Sequence, residues 1–179
     1  MKLLPIAPGA ALAALFLVGG CSTNPAPEDK AETLREGTEL ARVDVARPPP
    51  ISDEADPAEA EPLNEAGEIA SEIESNTMIG RVPVEGGLAW LQDGEVVRTA
   101  SSDGRRIAYF HPGEERPFLV QRGERAFAYR EGRPQRAYDD DGRPARITEP
   151  ARAEAERLAA AALRERAAAE QTLPAGAED

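Results

Sequence analysis

The chain has 179 residues, of which 16 are proline, 15 are glycine and only 4 % are aromatic, and its formal net charge is −12. Such a balance excludes a large aromatic core, and the acidity argues against a nucleic-acid partner, whose phosphates select basic surfaces. A single cysteine excludes an internal disulfide framework. The charge is uneven: residues 22–77 hold 4 basic and 15 acidic side chains, whereas residues 78–147 hold 12 arginines and 11 acids. Apart from Phe16, every aromatic residue lies between Trp90 and Tyr138. Large rings supply much of the burial in a small core, so that region is the one equipped to fold.

Met1-Lys2 is a short basic start, and residues 3–18 are apolar except for Pro5, Pro8 and Gly9. A run this short, interrupted by proline, suits a signal peptide better than a membrane-spanning helix. Leu17-Val18-Gly19-Gly20-Cys21 resembles the lipobox of bacterial lipoproteins, with an aliphatic residue at −3, small residues at −2 and −1, then cysteine. The resemblance implies a signal peptide over 1–20, cleavage between Gly20 and Cys21, and diacylglycerol on the Cys21 thiol with an acyl chain such as palmitate on the new amine. Several chains give stable anchoring where one is marginal. An ordinary signal peptide or an uncleaved anchor is the alternative. Ser22 at +2, in place of Asp, points to the outer membrane facing the periplasm.

Residues 21–77 read as a disordered acidic tether. They contain Asn24-Pro25-Ala26-Pro27, Arg47-Pro48-Pro49-Pro50 and Asp53-Glu54-Ala55-Asp56-Pro57, with no aromatic residue. Mutually repelling acids with so little apolar surface do not offset the entropy of ordering. Two pieces carry local helical bias: residues 32–43, and a stretch that Asn64 could cap, with Ile69 and Ile73 on one face. They are either spacer or docking motifs for a partner.

Residues 78–147 read as a small antiparallel β-meander of about seven short strands. Apolar runs alternate with turn signals at Asp93-Gly94, Asp103-Gly104, His111-Pro112-Gly113, Arg122-Gly123-Glu124, Glu131-Gly132 and Asp141-Gly142. Shifting the chain by 38 residues aligns Leu91, Gly94, Arg98, Asp103, Gly104 and Arg105 with Tyr129, Gly132, Arg136, Asp141, Gly142 and Arg143. That echo suggests two copies of a strand-turn-strand unit. The run from Tyr138 through Asp139-Asp140-Asp141-Gly142-Arg143 to Thr148 resembles one unit of the YD repeats of Rhs-type β-shell proteins. The chain holds one copy and a half copy near Asp103, so the resemblance implies shared hairpin chemistry. A domain this small needs another element to complete its core.

Thr148-Glu149-Pro150 reads as a helix start, and Ala-rich sequence with interspersed Glu and Arg continues to about Gln171. The expected helix covers 148–173, with a tail over 174–179. It either lies on the β-domain or stands in solvent, since Leu158 and Leu163 are too few for a coiled coil.

Few residues carry chemistry. His111 is the only histidine, placed in a turn beside Glu114 and Glu115, and Ser101-Ser102 sit in another turn. Asp139-Asp140-Asp141-Gly142 imitates a calcium loop, but with Gly142 sixth the first and twelfth positions would be Ala137 and Thr148, which are wrong ligands. No cofactor or metal is expected. Arg125, Arg130, Arg133, Arg136, Arg143 and Arg146 could form an anion-facing stripe for lipid phosphates or glycan carboxylates, or the solvated face of a half-buried sheet. The expectation is a non-enzymatic envelope lipoprotein that binds or scaffolds an envelope protein, with direct binding of an anionic glycan or headgroup as the alternative.

Overall fold

The computed structural model describes residues 44–53 and 55–172. Eight antiparallel strands form one sheet in chain order: β1 Gly80–Val84, β2 Gly87–Gln92, β3 Glu95–Ser101, β4 Arg106–Phe110, β5 Pro117–Arg122, β6 Arg125–Arg130, β7 Arg133–Tyr138 and β8 Pro144–Ala145. Helix α1, Pro57–Ser75, precedes the sheet and helix α2, Glu149–Thr172, follows it. The small all-β meander followed by a helix is therefore as the sequence indicates, with a two-residue β8 as its last strand.

Turn chemistry fixes the meander. Asp93-Gly94 and Glu131-Gly132 both place two successive residues at positive φ, 52° and 84° in the first pair, 53° and 74° in the second. That conformation matches the right-handed twist of the flanking strands, and glycine adopts it without steric cost. Pro83 lies on β1, an edge strand, where a missing N–H costs least.

The sheet contains a shorter repeat than the sequence discloses. Register shifts fall at Trp90/Leu91, Tyr109/Phe110 and Ala128/Tyr129, so positions 90, 109 and 128 mark a spacing of 19 residues. At each bulge two residues of the returning strand oppose one: Val97-Arg98 against Trp90, Phe118-Leu119 against Tyr109, Gln135-Arg136 against Ala128. Four residues separate Leu91 from Val96 and Tyr129 from Pro134, but six separate Phe110 from Pro117. The longer middle loop shifts the second unit's return strand, which is why only the first and third units align at 38.

Both faces of the sheet are covered. One face carries Leu88, Trp90, Val97, Ala100, Ile107, Tyr109, Phe118, Leu119, Ala126 and Tyr138 beneath Leu63, Ala66 and Ala70 of α1. The other carries Leu91, Val96, Ala108, Phe110, Val120, Phe127 and Tyr129 beneath Ala155, Leu158, Ala162 and Ala169 of α2. These α2 positions are spaced by three, four and seven residues, which places them on one face of a helix. The Thr148 hydroxyl accepts from the Ala151 N–H at 3.4 Å, as its expected capping role requires.

One expectation needs correction: the disordered tether does not extend to residue 77. Asp56 caps α1, its side chain accepting from the Ala58 N–H at 2.9 Å, and Pro57 occupies the first turn. Asn64 is an exposed residue inside the helix, not its cap. The helix needs no aromatic residue, because alanines let its backbone sit close to the sheet. Residues 44–52 pack too: Gln121 Nε2 donates to the Arg47 carbonyl at 2.9 Å, and Pro49 is buried. A Cβ on Gly142 would stand 1.7 Å from the Pro50 carbonyl oxygen, so glycine alone permits that approach. The signal peptide, Gly20, Cys21, the remainder of the tether including the 32–43 helical stretch, and the tail at 174–179 lie outside the described residues.

Candidate functional site

A concavity of about 800 Å³ opens between the first half of α1, the β4–β5 loop and the β6–β7 hairpin. Phe118, Pro117, Pro62, Ala128 and Tyr138 give it apolar surface, while Glu61, Glu115, Arg116 and Arg130 give it charge. The strand order brings the β4–β5 and β6–β7 turns to the same end of the sheet, where Arg116 Nη1 donates to the Glu131 carbonyl at 2.8 Å.

His111 stands at the mouth of this cleft. Its Nε2 lies 3.0 Å from Glu65 on α1 and its Nδ1 lies 3.2 Å from Glu114. The ring stacks on Phe118, with centroids 4.3 Å apart and planes 13° from parallel. Burial works against the imidazolium, but the Glu65 and Glu114 carboxylates outweigh it and hold the pKa above the usual histidine value. The result is a charged clasp between the helix and the loop. Deeper in the cleft Arg136 pairs with Glu59 at 2.6 Å, and the Tyr138 hydroxyl donates to the Glu59 carbonyl at 2.6 Å. Burial pushes that hydroxyl up to about 12, keeping it a donor.

The six arginines of the expected stripe do not form one row: Arg125 and Arg136 lie on β6 and β7 toward different helices, Arg130 and Arg133 flank the turn between those strands, and Arg143 and Arg146 lie on either side of β8. Arg125 pairs with Glu154 of α2 at 3.2 Å, Arg136 with Glu59 of α1, and Arg143 with Asp141 beside it. Arg130, Arg133 and Arg146 are exposed and make no ion pair among the described residues. Arg130 and Arg133 are register partners flanking Glu131-Gly132, so they hold like charges across a tight turn. Asp139 acts as a turn residue, its Oδ1 accepting from the N–H groups of Asp141 and Arg143 at 3.1 and 2.8 Å. Ser101 Oγ likewise serves its own turn, donating to Asp103 and accepting from the Arg106 N–H.

The sequence did not mark Glu59 and Glu65 as site residues, because both lie in the stretch read as tether. Asp56-Pro57, a capping acid followed by proline in the first helical turn, was the available signal. Nor did it mark Glu165, a buried acid on α2 that pairs with Arg106 and accepts from Thr99 Oγ1 at 3.3 Å. Among the described residues no group of His, Cys, Asp and Glu could hold a metal ion, and no helix is long and apolar enough to cross a membrane. Compared with protein-family models, curated proteins and solved structures, the chain matches none.

Proposed function

We propose that this chain is a lipoprotein of the bacterial cell envelope, anchored through lipid on Cys21 at the outer membrane and facing the periplasm, whose folded body binds a partner protein without transforming it. The anchoring half of the reading rests on Leu17-Val18-Gly19-Gly20-Cys21. The binding half rests on the cleft, a concavity whose lining mixes apolar and charged side chains and so suits a peptide segment with both kinds of side chain. The acidic, aromatic-free sequence that follows Cys21 supports a tether that gives the body reach from the membrane surface.

Intact mass and membrane fractionation, wild type beside Cys21→Ala, test the anchor. The wild type is expected to start at residue 21 with added acyl mass and to pellet with membranes, and the variant to lose both. A soluble wild type, or one that keeps residues 1–20, defeats the reading. A photo-crosslinking residue at Glu61 or Arg130 tests the cleft, with Arg157 on α2 as control. Cross-links confined to the two cleft positions support it, and equal labelling at all three defeats it.

A second reading, an anionic glycan or headgroup bound at the surface, is favoured by the exposed Arg130 and Arg133 facing each other across their turn. Charge reversal of Arg133 is expected to weaken that binding sharply while leaving the cleft cross-links from Glu61 intact.

A further inference from the structure

Across β1 to β4, on the face beneath α1, one row of register partners reads Arg81, Trp90, Arg98, Tyr109. Trp90 and Tyr109 are fully buried and Arg98 is only 6 % exposed. The Arg98 guanidinium carbon stands 3.9 Å from the Trp90 ring centre, and Arg81 stands 5.4 Å from the same ring. The bulge at Trp90/Leu91 produces this crowding, since it turns both Val97 and Arg98 toward Trp90.

Trp90 Nε1 and Arg98 Nε are buried without a hydrogen-bond partner among the described residues, and the Tyr109 hydroxyl meets only the Arg98 guanidinium. An indole N–H and a guanidinium can only donate, so the Tyr109 hydroxyl oxygen is the one acceptor among these three side chains, and donors outnumber it. Among the described residues Arg98 also has no ion-pair partner, an unusual state for an arginine with so little exposure. Burial pulls its pKa below the usual arginine value, opposed by the neighbouring Tyr109, and burial pushes the Tyr109 hydroxyl up to about 12, where it stays protonated. Glu74, in the last turn of α1, is the carboxylate whose charge reaches both groups, but its oxygens are held by Arg47.

We propose that Arg98, Trp90 and Tyr109 form a binding site for an oxyanion, a phosphate or carboxylate group, covered by the C-terminal half of α1. The oxygen lone pairs of such a group accept from all three donors and neutralise the buried guanidinium. Glu74 acts as the built-in competitor for the same donors. The cover is lightly held: Ala66, Ala70 and the half-buried Ile69 and Ile73 contribute its apolar contacts. The side-chain bonds Gln92 to Glu72, at 3.0 Å, and Arg47 to Glu74 complete its hold. This site is separate from the cleft and does not rest on the partner-binding reading.

Trp90 is the only tryptophan, so its fluorescence reports the site in the full-length chain. One arm titrates inorganic phosphate against chloride at matched ionic strength. The other adds vesicles of phosphatidylglycerol or of phosphatidylcholine. A saturable change with phosphate alone identifies a soluble oxyanion; a change with phosphatidylglycerol but not phosphatidylcholine identifies a lipid headgroup. In either case Arg98→Met is expected to weaken the response about tenfold or more, the effect of losing a charge-assisted bond. Glu74→Gln, at an exposed position, is expected to strengthen it. No saturable change in either arm overturns the proposal, as does an unchanged response in Arg98→Met. Should Arg98→Met fail to fold, Glu74→Gln decides: tighter binding supports the site, and unchanged or weaker binding overturns it.

Discussion

Glu165 is 4 % exposed, and the groups that justify its burial lie on the sheet: the Arg106 guanidinium and the Thr99 hydroxyl. Removing one partner of a buried pair leaves the other charge uncompensated, whereas replacing both removes the penalty. Glu165→Ala is therefore expected to cost about 3 kcal/mol in urea unfolding, and the double change to Leu at Glu165 and Arg106 less than that. His111 makes a different kind of statement. Its folded pKa lies above the unfolded value because the Glu65 and Glu114 carboxylates favour the imidazolium. The clasp therefore contributes in full below about pH 6.5, the unfolded value, and is lost as pH rises through the folded pKa. An NMR titration of this single histidine is expected to give a midpoint above the unfolded value in the wild type and a lower one in Glu65→Gln. The sequence showed His111 and its near neighbour Glu114. Glu65 and the Arg106–Glu165 pair bring together residues 46 and 59 positions apart, and no local pattern announces a contact at that range.

The strands and their turns were the most legible elements, because a glycine at positive φ is a local requirement that the sequence must meet locally. Asp93-Gly94 and Glu131-Gly132 are correspondingly the clearest hairpin signals and the best-defined turns. Gly94→Ala, at φ 84° with open space for a methyl group, is expected to cost about 1 kcal/mol through backbone strain alone, measured by thermal or urea unfolding. The 19-residue unit was obscured by two extra residues in one loop, a displacement that matters to alignment and not to the sheet. Helix α1 was misjudged for a physical reason. Its acids and prolines resemble those of an unfolded segment, and its buried stripe is Ala60, Leu63, Ala66 and Ala70, with one large side chain. Leu63→Ala is expected to cost about 2–4 kcal/mol for loss of α1 docking. Hydrogen exchange should quicken over residues 57–75 while β4 to β6 keep their protection.

The described residues form a three-layer arrangement in which each helix covers large apolar side chains on one face of the sheet. Ending the chain at residue 147 would uncover Phe110, Val120, Phe127 and Tyr129. The Tyr129 hydroxyl would also lose its bond to the Ala155 carbonyl at 2.7 Å. Such a chain is expected to bind a hydrophobic dye and to lose its cooperative unfolding transition, whereas retained cooperativity would mean that α2 is an accessory.

Properties encoded within a few residues are legible along the chain: the turns, the alternating apolar strands, the capped Ala-rich helix, and the short motif around Cys21 that carries the anchoring proposal. Folding settles that α1 is a layer of the fold, that the six arginines form no single stripe, and that Arg98 is buried beside two rings without a carboxylate partner among the described residues. Those outcomes depend on which strand faces and which residues distant in the chain come together. Burial, charge compensation and cleft shape are properties of that assembly, and no stretch of sequence carries them alone.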